Sequence, residues 1–216
     1  SWREERAEVV QEKEYLHRIA IDLERSLRRF DTARVALQRT ERHGLAVLPA
    51  FRGDRSNTNV AAFLASAYWS SRPAMSTTID DSYADLLSHG GLRLIRDDSL
   101  RSQIMYYYRR LDGGSLPGIV ISDNIVYRNA IRSAIPFEIQ VAIRKHCDRD
   151  AKPLSCTAAL DEKLSQRALQ TIRSDEKVEL ALNLWLQSIE QELRRLDGVE
   201  TRTRFLLGVI HRQGDL

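Results

Sequence analysis

Three observations predict an all-α fold. An apolar heptad runs through the N-terminus without proline, a second apolar stripe steps by three and four along the last forty or so residues, and nothing between them alternates convincingly as strands do. Only 10 Gly and 5 Pro in 216 residues argue the same way, because sandwiches and barrels need many turns. With 43% hydrophobic and 29% charged residues the chain can bury a core. No run of 18 apolar residues is present, so nothing within it spans a membrane by itself. Lys plus Arg is 33 against 30 Asp plus Glu, and a net charge of +3 with the signs mixed along the chain does not predict nucleic-acid binding.

The first element is a long helix over 2–44. Val9, Leu16, Leu23, Phe30 and Leu37 recur every seventh residue, with Ile19, Ala20, Leu27 and Ala33 beside them. Glu12, Lys13, Glu14, Arg18, Glu24 and Arg25 alternate sign on the other positions, as on a solvated face. At ~1.5 Å per residue such a helix is roughly 65 Å long, so one end is expected to project. Gly44 reads as its stop, and Pro49 and Gly53 make 45–56 a loop.

Shorter inner helices fill about 57–171. Asn57 is placed to cap a helix over Val60, Phe63, Leu64, Ala67 and Tyr68 that ends before Pro73. Thr77 or Thr78 caps the next, with Ile79, Tyr83, Leu86 and Leu87, and Gly90-Gly91 stop it. Leu92, Leu94 and Ile95 read as an extended apolar turn. Asp97 or Asp98 opens a helix carrying Leu100, Ile104, Tyr107 and Leu111, and the loop Gly113–Gly118 follows. Ser122-Asp123 caps a helix through Ile125, Ile131 and Ile135, which Pro136 kinks or interrupts before Phe137–His146. A further helix forms around Leu160, Leu164 and Ala168.

The last element is a long helix over about 175–212, capped by Ser174 with Asp175 and Glu176 in its first turn. Leu182, Leu186, Ile189, Leu193, Leu196, Thr203, Leu207 and Ile210 form its stripe. Two seams of similar length pack most simply antiparallel against each other. The expectation is a single domain over 1–216, an elongated helical bundle with the two long helices as its frame. A dimer, in which each seam finds its copy in a partner, competes with that arrangement.

Catalytic chemistry is sparse. No GxxxxGK[ST], GxGxxG, GxSxG or HExxH motif occurs, so no enzyme activity or cofactor is predicted. No metal site is predicted either: His146-Cys147 is the sole close His/Cys pair, and neighbours on a helix point about 100° apart. His17, His43, His89 and His211 are scattered singly and read as surface or cap residues. Asp80-Asp81 and Asp97-Asp98 fall where N-caps belong. The one candidate ligand patch is Tyr106, Tyr107 and Tyr108 with Arg101 and Arg110, able to hold an anionic or aromatic ligand by hydrogen bonds and cation–π contact. Its competitor is a core edge in which Tyr107 follows the apolar stripe and at least one of the three tyrosines reaches water.

Two stretches carry a family resemblance. Trp2-Arg3-Glu4-Glu5-Arg6, Glu14-Tyr15-Leu16 and Asp22-Leu23-Glu24 form the first. Tyr83-Ala84-Asp85-Leu86, Gly91-Leu92-Arg93-Leu94-Ile95-Arg96-Asp97, Leu100-Arg101 and Tyr107-Tyr108 form the second. Together they resemble an uncharacterised family of bacterial single-span, membrane-anchored proteins with a long helix after the membrane segment. The resemblance covers about half the chain and implies a membrane helix upstream of Ser1. It implies no activity or catalytic residue. Trp2 with Arg3 and Arg6 suits a membrane interface. In the resembled family a short basic N-terminus precedes the membrane helix; if it stays inside, the resemblance implies a domain at the inner membrane facing the periplasm, and the opposite orientation would make it cytoplasmic.

Cys147 and Cys156 bracket eight residues that include Pro153. In a cytosolic protein two free thiols are equally ordinary. The loop returns the chain between two helices, which favours a disulfide and an oxidising compartment. The function expected is protein interaction or scaffolding, by homo-oligomerisation or with a partner at the membrane. The alternative is a ligand-sensing helical-bundle ectodomain.

Overall fold

The N-terminal heptad sustains one unbroken helix, α1 (Trp2–Phe51), in the computed structural model, which describes residues 2–51, 59–72, 79–112 and 119–214. It is followed by α2 (Val60–Ser70), α3 (Asp81–Ser88), a 3-10 turn (Gly91–Leu94), α4 (Asp98–Asp112), α5 (Ile119–Ala134), α6 (Phe137–His146), α7 (Glu162–Ser174) and α8 (Glu176–Gly214). The fold is all-α, with no strand among the described residues. The long helices α1 and α8 pack together and run antiparallel: Leu16 to Leu23 share a core with Leu206 and Ile210, whereas Gly44 meets Leu182 and Leu186.

Several boundaries differ from expectation, each for a local reason. Gly44 does not stop α1. A methyl group there would sit 2.8 Å from Leu186 Cδ2, so the glycine is where α1 and α8 approach closely. Pro49 lies in the last turn of α1, where its missing N–H removes a single bond, and the burial of Val47 and Ala50 with Phe51 packed on Phe63 offsets that loss. The predicted loop over 45–56 is therefore helix as far as Phe51.

Asn59 caps α2 by accepting from the Ala62 N–H; Asn57, Thr77, Thr78 and the loop Gly113–Gly118 lie outside the described residues. The tether at Leu92–Ile95 is a 3-10 turn rather than extended chain, entered through Gly90 in the left-handed region (φ 65°). Helix α5 starts at Ile119, ahead of Ser122-Asp123. Ser174 closes α7 by donating to the Thr171 carbonyl, and Asp175 instead caps α8, accepting from the Lys177 N–H at 3.0 Å.

The chain packs as two compact units. The first draws on 1–32, 76–117 and 194–216. Its core joins Leu16, Ile19 and Leu23 of α1 to Leu86, Ile95, Leu100 and Ile104, and to Leu206 and Ile210 of α8. Helix α3 carries no side-chain cap of its own; buried Asp22 of α1 supplies one, accepting the Ser82 N–H at 2.9 Å, while Ser26 Oγ accepts the Ile79 N–H.

The second unit draws on 33–75 and 118–193. At its centre lies α2, buried from Ala62 to Ser70, as expected of a helix without charge on any face. Fully buried Tyr127 bonds Ser70 Oγ at 2.8 Å, and the Trp185 indole donates to the Ser70 carbonyl.

Candidate functional site

The predicted ligand patch on α4 is divided by the helix itself. Consecutive residues fan about 100° apart, so three adjacent tyrosines cannot share one face. Tyr107 and Tyr108 enter the core of the first unit. Tyr107 donates to Thr203 Oγ1 at 2.8 Å, because the Thr203 hydroxyl is already donating to the Val199 carbonyl. Tyr108 stacks on Tyr83 at 4.1 Å between ring centres, and its hydroxyl has no hydrogen-bond partner among the described residues. Burial pushes both phenols above their ordinary pKa. Arg101 turns back to the Ile95 carbonyl and Asp98. Only Tyr106 and Arg110 stay together in solvent, the guanidinium 5.7 Å over the ring, beside Ser102, Met105 and Arg109 in a shallow depression of about 430 Å³.

His43 is not a surface or cap residue. It lies buried on α1 in the second unit, where the Cys147–Cys156 loop closes over it. The two cysteines are at disulfide distance, with Cα atoms 5.2 Å apart. His43 Nε2 donates to the Arg149 carbonyl at 3.0 Å, which leaves Nδ1 unprotonated to accept from Ser66 Oγ at 3.2 Å. Ser66 Oγ in turn accepts the Leu154 N–H at 2.9 Å, holding Leu154 in the left-handed region (φ 59°) that leucine rarely adopts. Arg39 pairs with Asp150 on the same loop.

A serine on a histidine resembles an activated nucleophile. Both groups are buried here, and the second ring nitrogen meets a carbonyl rather than a carboxylate, so the arrangement pins a loop. Burial, helped by Arg42 and Arg39, lowers the His43 pKa against the opposing effects of the Arg149 carbonyl and Asp150. Composition hid this residue; its spacing from Leu37 and Thr40 on the buried face of α1 was the available signal.

A second group surrounds Tyr68, at the C-terminal end of α2. Arg128 and Arg132 lie one turn apart on α5, Arg144 ends α6, and Arg72 follows α2. The Arg132 guanidinium carbon sits 3.6 Å above the Tyr68 ring centre, with Nε donating to Ser71 Oγ. Arg144 Nη1 donates to the Tyr68 hydroxyl at 2.8 Å, and its guanidinium stacks 5.9 Å from the exposed ring of Phe137. Arg72 covers Trp69, which meets Tyr68 edge to face.

None of these four guanidiniums has a carboxylate partner among the described residues. Burial tends to raise the Tyr68 phenol, but the hydrogen bond from Arg144 and the charge of Arg132 outweigh it and hold the pKa below its ordinary value. Arg132 is itself held low by burial, with the like charges of Arg128 and Arg72 adding to the effect against Tyr68.

One further surface of the second unit is apolar. Leu180 and Leu184, a turn apart on α8, are 61% and 53% exposed and face Val126 of α5, itself 62% exposed. They line a groove of about 580 Å³ with Lys177, Gln187 and Gln191 at its edge. Among the described residues no three of His, Cys, Asp and Glu form a group able to hold a metal ion, and no helix is long and apolar enough to cross a membrane.

Fold and surfaces together define an all-α helical-bundle protein with one cysteine pair at disulfide distance. Comparison with protein-family models, with curated proteins and with solved structures matches none of them to this chain.

Proposed function

We propose that this chain is the extracytoplasmic helical domain of a membrane-anchored bacterial protein, facing the periplasm, and that it works by binding another protein chain. The observation that carries the reading is the groove between Val126 on α5 and Leu180 and Leu184 on α8. Apolar side chains one helical turn apart, left in water beside a polar edge, are the pattern that an amphipathic helix fills. A second copy of this chain is the simplest occupant, by an isologous contact. The compartment is supported by Cys147 and Cys156, because disulfides persist where thiols are not kept reduced.

Sedimentation velocity tests the reading on the full chain and on a Leu180→Asp/Leu184→Asp variant. The native chain is expected to sediment as a dimer and the variant as a monomer of unchanged helicity. A native chain that stays monomeric, and that yields no crosslinked partner at its membrane, refutes it.

The ligand-sensing alternative retains one observation, the depression beside Tyr106 and Arg110. It predicts a small molecule whose binding is lost on Tyr106→Ala.

A further inference from the structure

We propose that the arginines around Tyr68 form a binding site for a phosphoryl group, borne by a small molecule or by a lipid headgroup. The site belongs wholly to the second unit, and its members come from three helices and the second residue after α2.

Three guanidiniums are gathered about one phenol and its neighbouring indole, with Arg128 near enough to Arg132 to act on its charge, and no described carboxylate balances them. Like charges held this close disfavour one another, and the half-buried member, Arg132, has also lost water. Three arginines elsewhere in the chain have a carboxylate beside them, Arg18 with Asp85, Arg39 with Asp150 and Arg204 with Glu200; at this cluster the partner that fits is an anion from outside.

The hydrogen bonds already made fix the orientation of this cluster. Nε of Arg132 is committed to Ser71 and Nη1 to Gln140 Oε1, while Arg144 spends one Nη1 bond on Tyr68. Arg132 also hydrogen-bonds the Tyr68 hydroxyl, and the N–H groups of Arg72 and Arg128 and the rest of those on Arg144 meet no acceptor among the described residues. A singly charged carboxylate would balance one of four cations. A phosphate monoester carries nearly two charges and three oxygens, and guanidinium forks match it in pairs. The exposed Phe137 ring beside Arg144 offers the apolar part of such a ligand a face to lie on.

The test is calorimetric titration of the full chain with inorganic pyrophosphate at constant ionic strength, which separates a site from general screening. It is paired with flotation on vesicles of phosphatidylglycerol or of phosphatidylcholine alone. The informative variant is Arg128→Gln/Arg144→Gln, because both side chains are exposed and their loss leaves the core intact. Arg132→Lys is the second, keeping one charge while removing the fork.

Binding of pyrophosphate that falls about tenfold or more in the double variant, and less in Arg132→Lys, supports a soluble phosphorylated ligand. Binding only to phosphatidylglycerol vesicles, lost in the double variant, supports a headgroup as the source. Absence of both, or binding that the double variant leaves unchanged, overturns the proposal. Leu180→Asp/Leu184→Asp is expected to bind pyrophosphate normally, so failure of this site and failure of the protein-binding groove are read separately.

Discussion

His43 shows how a single titrating group enters the stability of a helical unit. Its pKa is lowered by burial, so the folded state binds fewer protons than the unfolded chain as pH falls. The stability it contributes is present in full above the unfolded value near 6.5 and is lost as pH drops through that value towards the lowered folded one. The urea midpoint of the native chain should therefore fall between about pH 6.5 and 5. A His43→Gln chain should be about 1–3 kcal/mol less stable at pH 7.5, with a flatter profile below it. An unaltered slope in the variant would show that other groups carry the pH dependence. Tyr108 tests the opposite case, since its buried hydroxyl has no partner among the described residues. Tyr108→Phe should leave stability unchanged or raise it by up to about 1 kcal/mol in thermal unfolding; a clear loss would mean that the hydroxyl has a partner after all.

At the scale of elements, the heptad of α1 and the stripe of α8 were legible because both face a core over most of their length. Leu16, Leu23, Phe30, Leu37, Leu182, Ile189 and Leu196 are all buried, as their spacing requires. Replacing Leu23 or Ile189 by Asp places an unpaired charge where no water reaches. Each change should destabilise by more than about 4 kcal/mol and abolish the folded baseline in circular dichroism at 37 °C. An unchanged melting temperature for either would show the seam misplaced. Element ends were less legible. Gly44, Pro49 and Ser174 each carry a strong local signal for stopping or starting a helix. In each case the packing of Leu186 on Gly44, the burial of Val47, or the neighbouring cap at Asp175 decided the matter instead.

For the whole molecule, the consequential covalent feature is the pair Cys147 and Cys156. Closing a loop this short stabilises by roughly 2–3 kcal/mol through the entropy of the unfolded chain. Reduction should lower the free energy of urea unfolding by that amount in the full chain, and Cys147→Ser/Cys156→Ser should match the reduced protein. Thiol titration of unreduced, denatured protein from its native compartment should find no free thiol. Two free thiols would remove both the bridge and the support it lends to a periplasmic location.

The sequence by itself determined the all-α class, the two long helices, their buried faces and the cysteine pair, because each is a local or strictly periodic property of the chain. Periodicity reports which face of a helix is apolar, not which partner covers it. Tertiary structure alone decided that Tyr107 and Tyr108 serve the core, that His43 holds the 148–155 loop, and that Arg132 and Arg144 converge on Tyr68, with Arg72 on neighbouring Trp69 and Arg128 near Arg132. Those four arginines span more than seventy positions, each an ordinary surface charge where it stands. Only the packing of α2 against α5 and α6 brings them together.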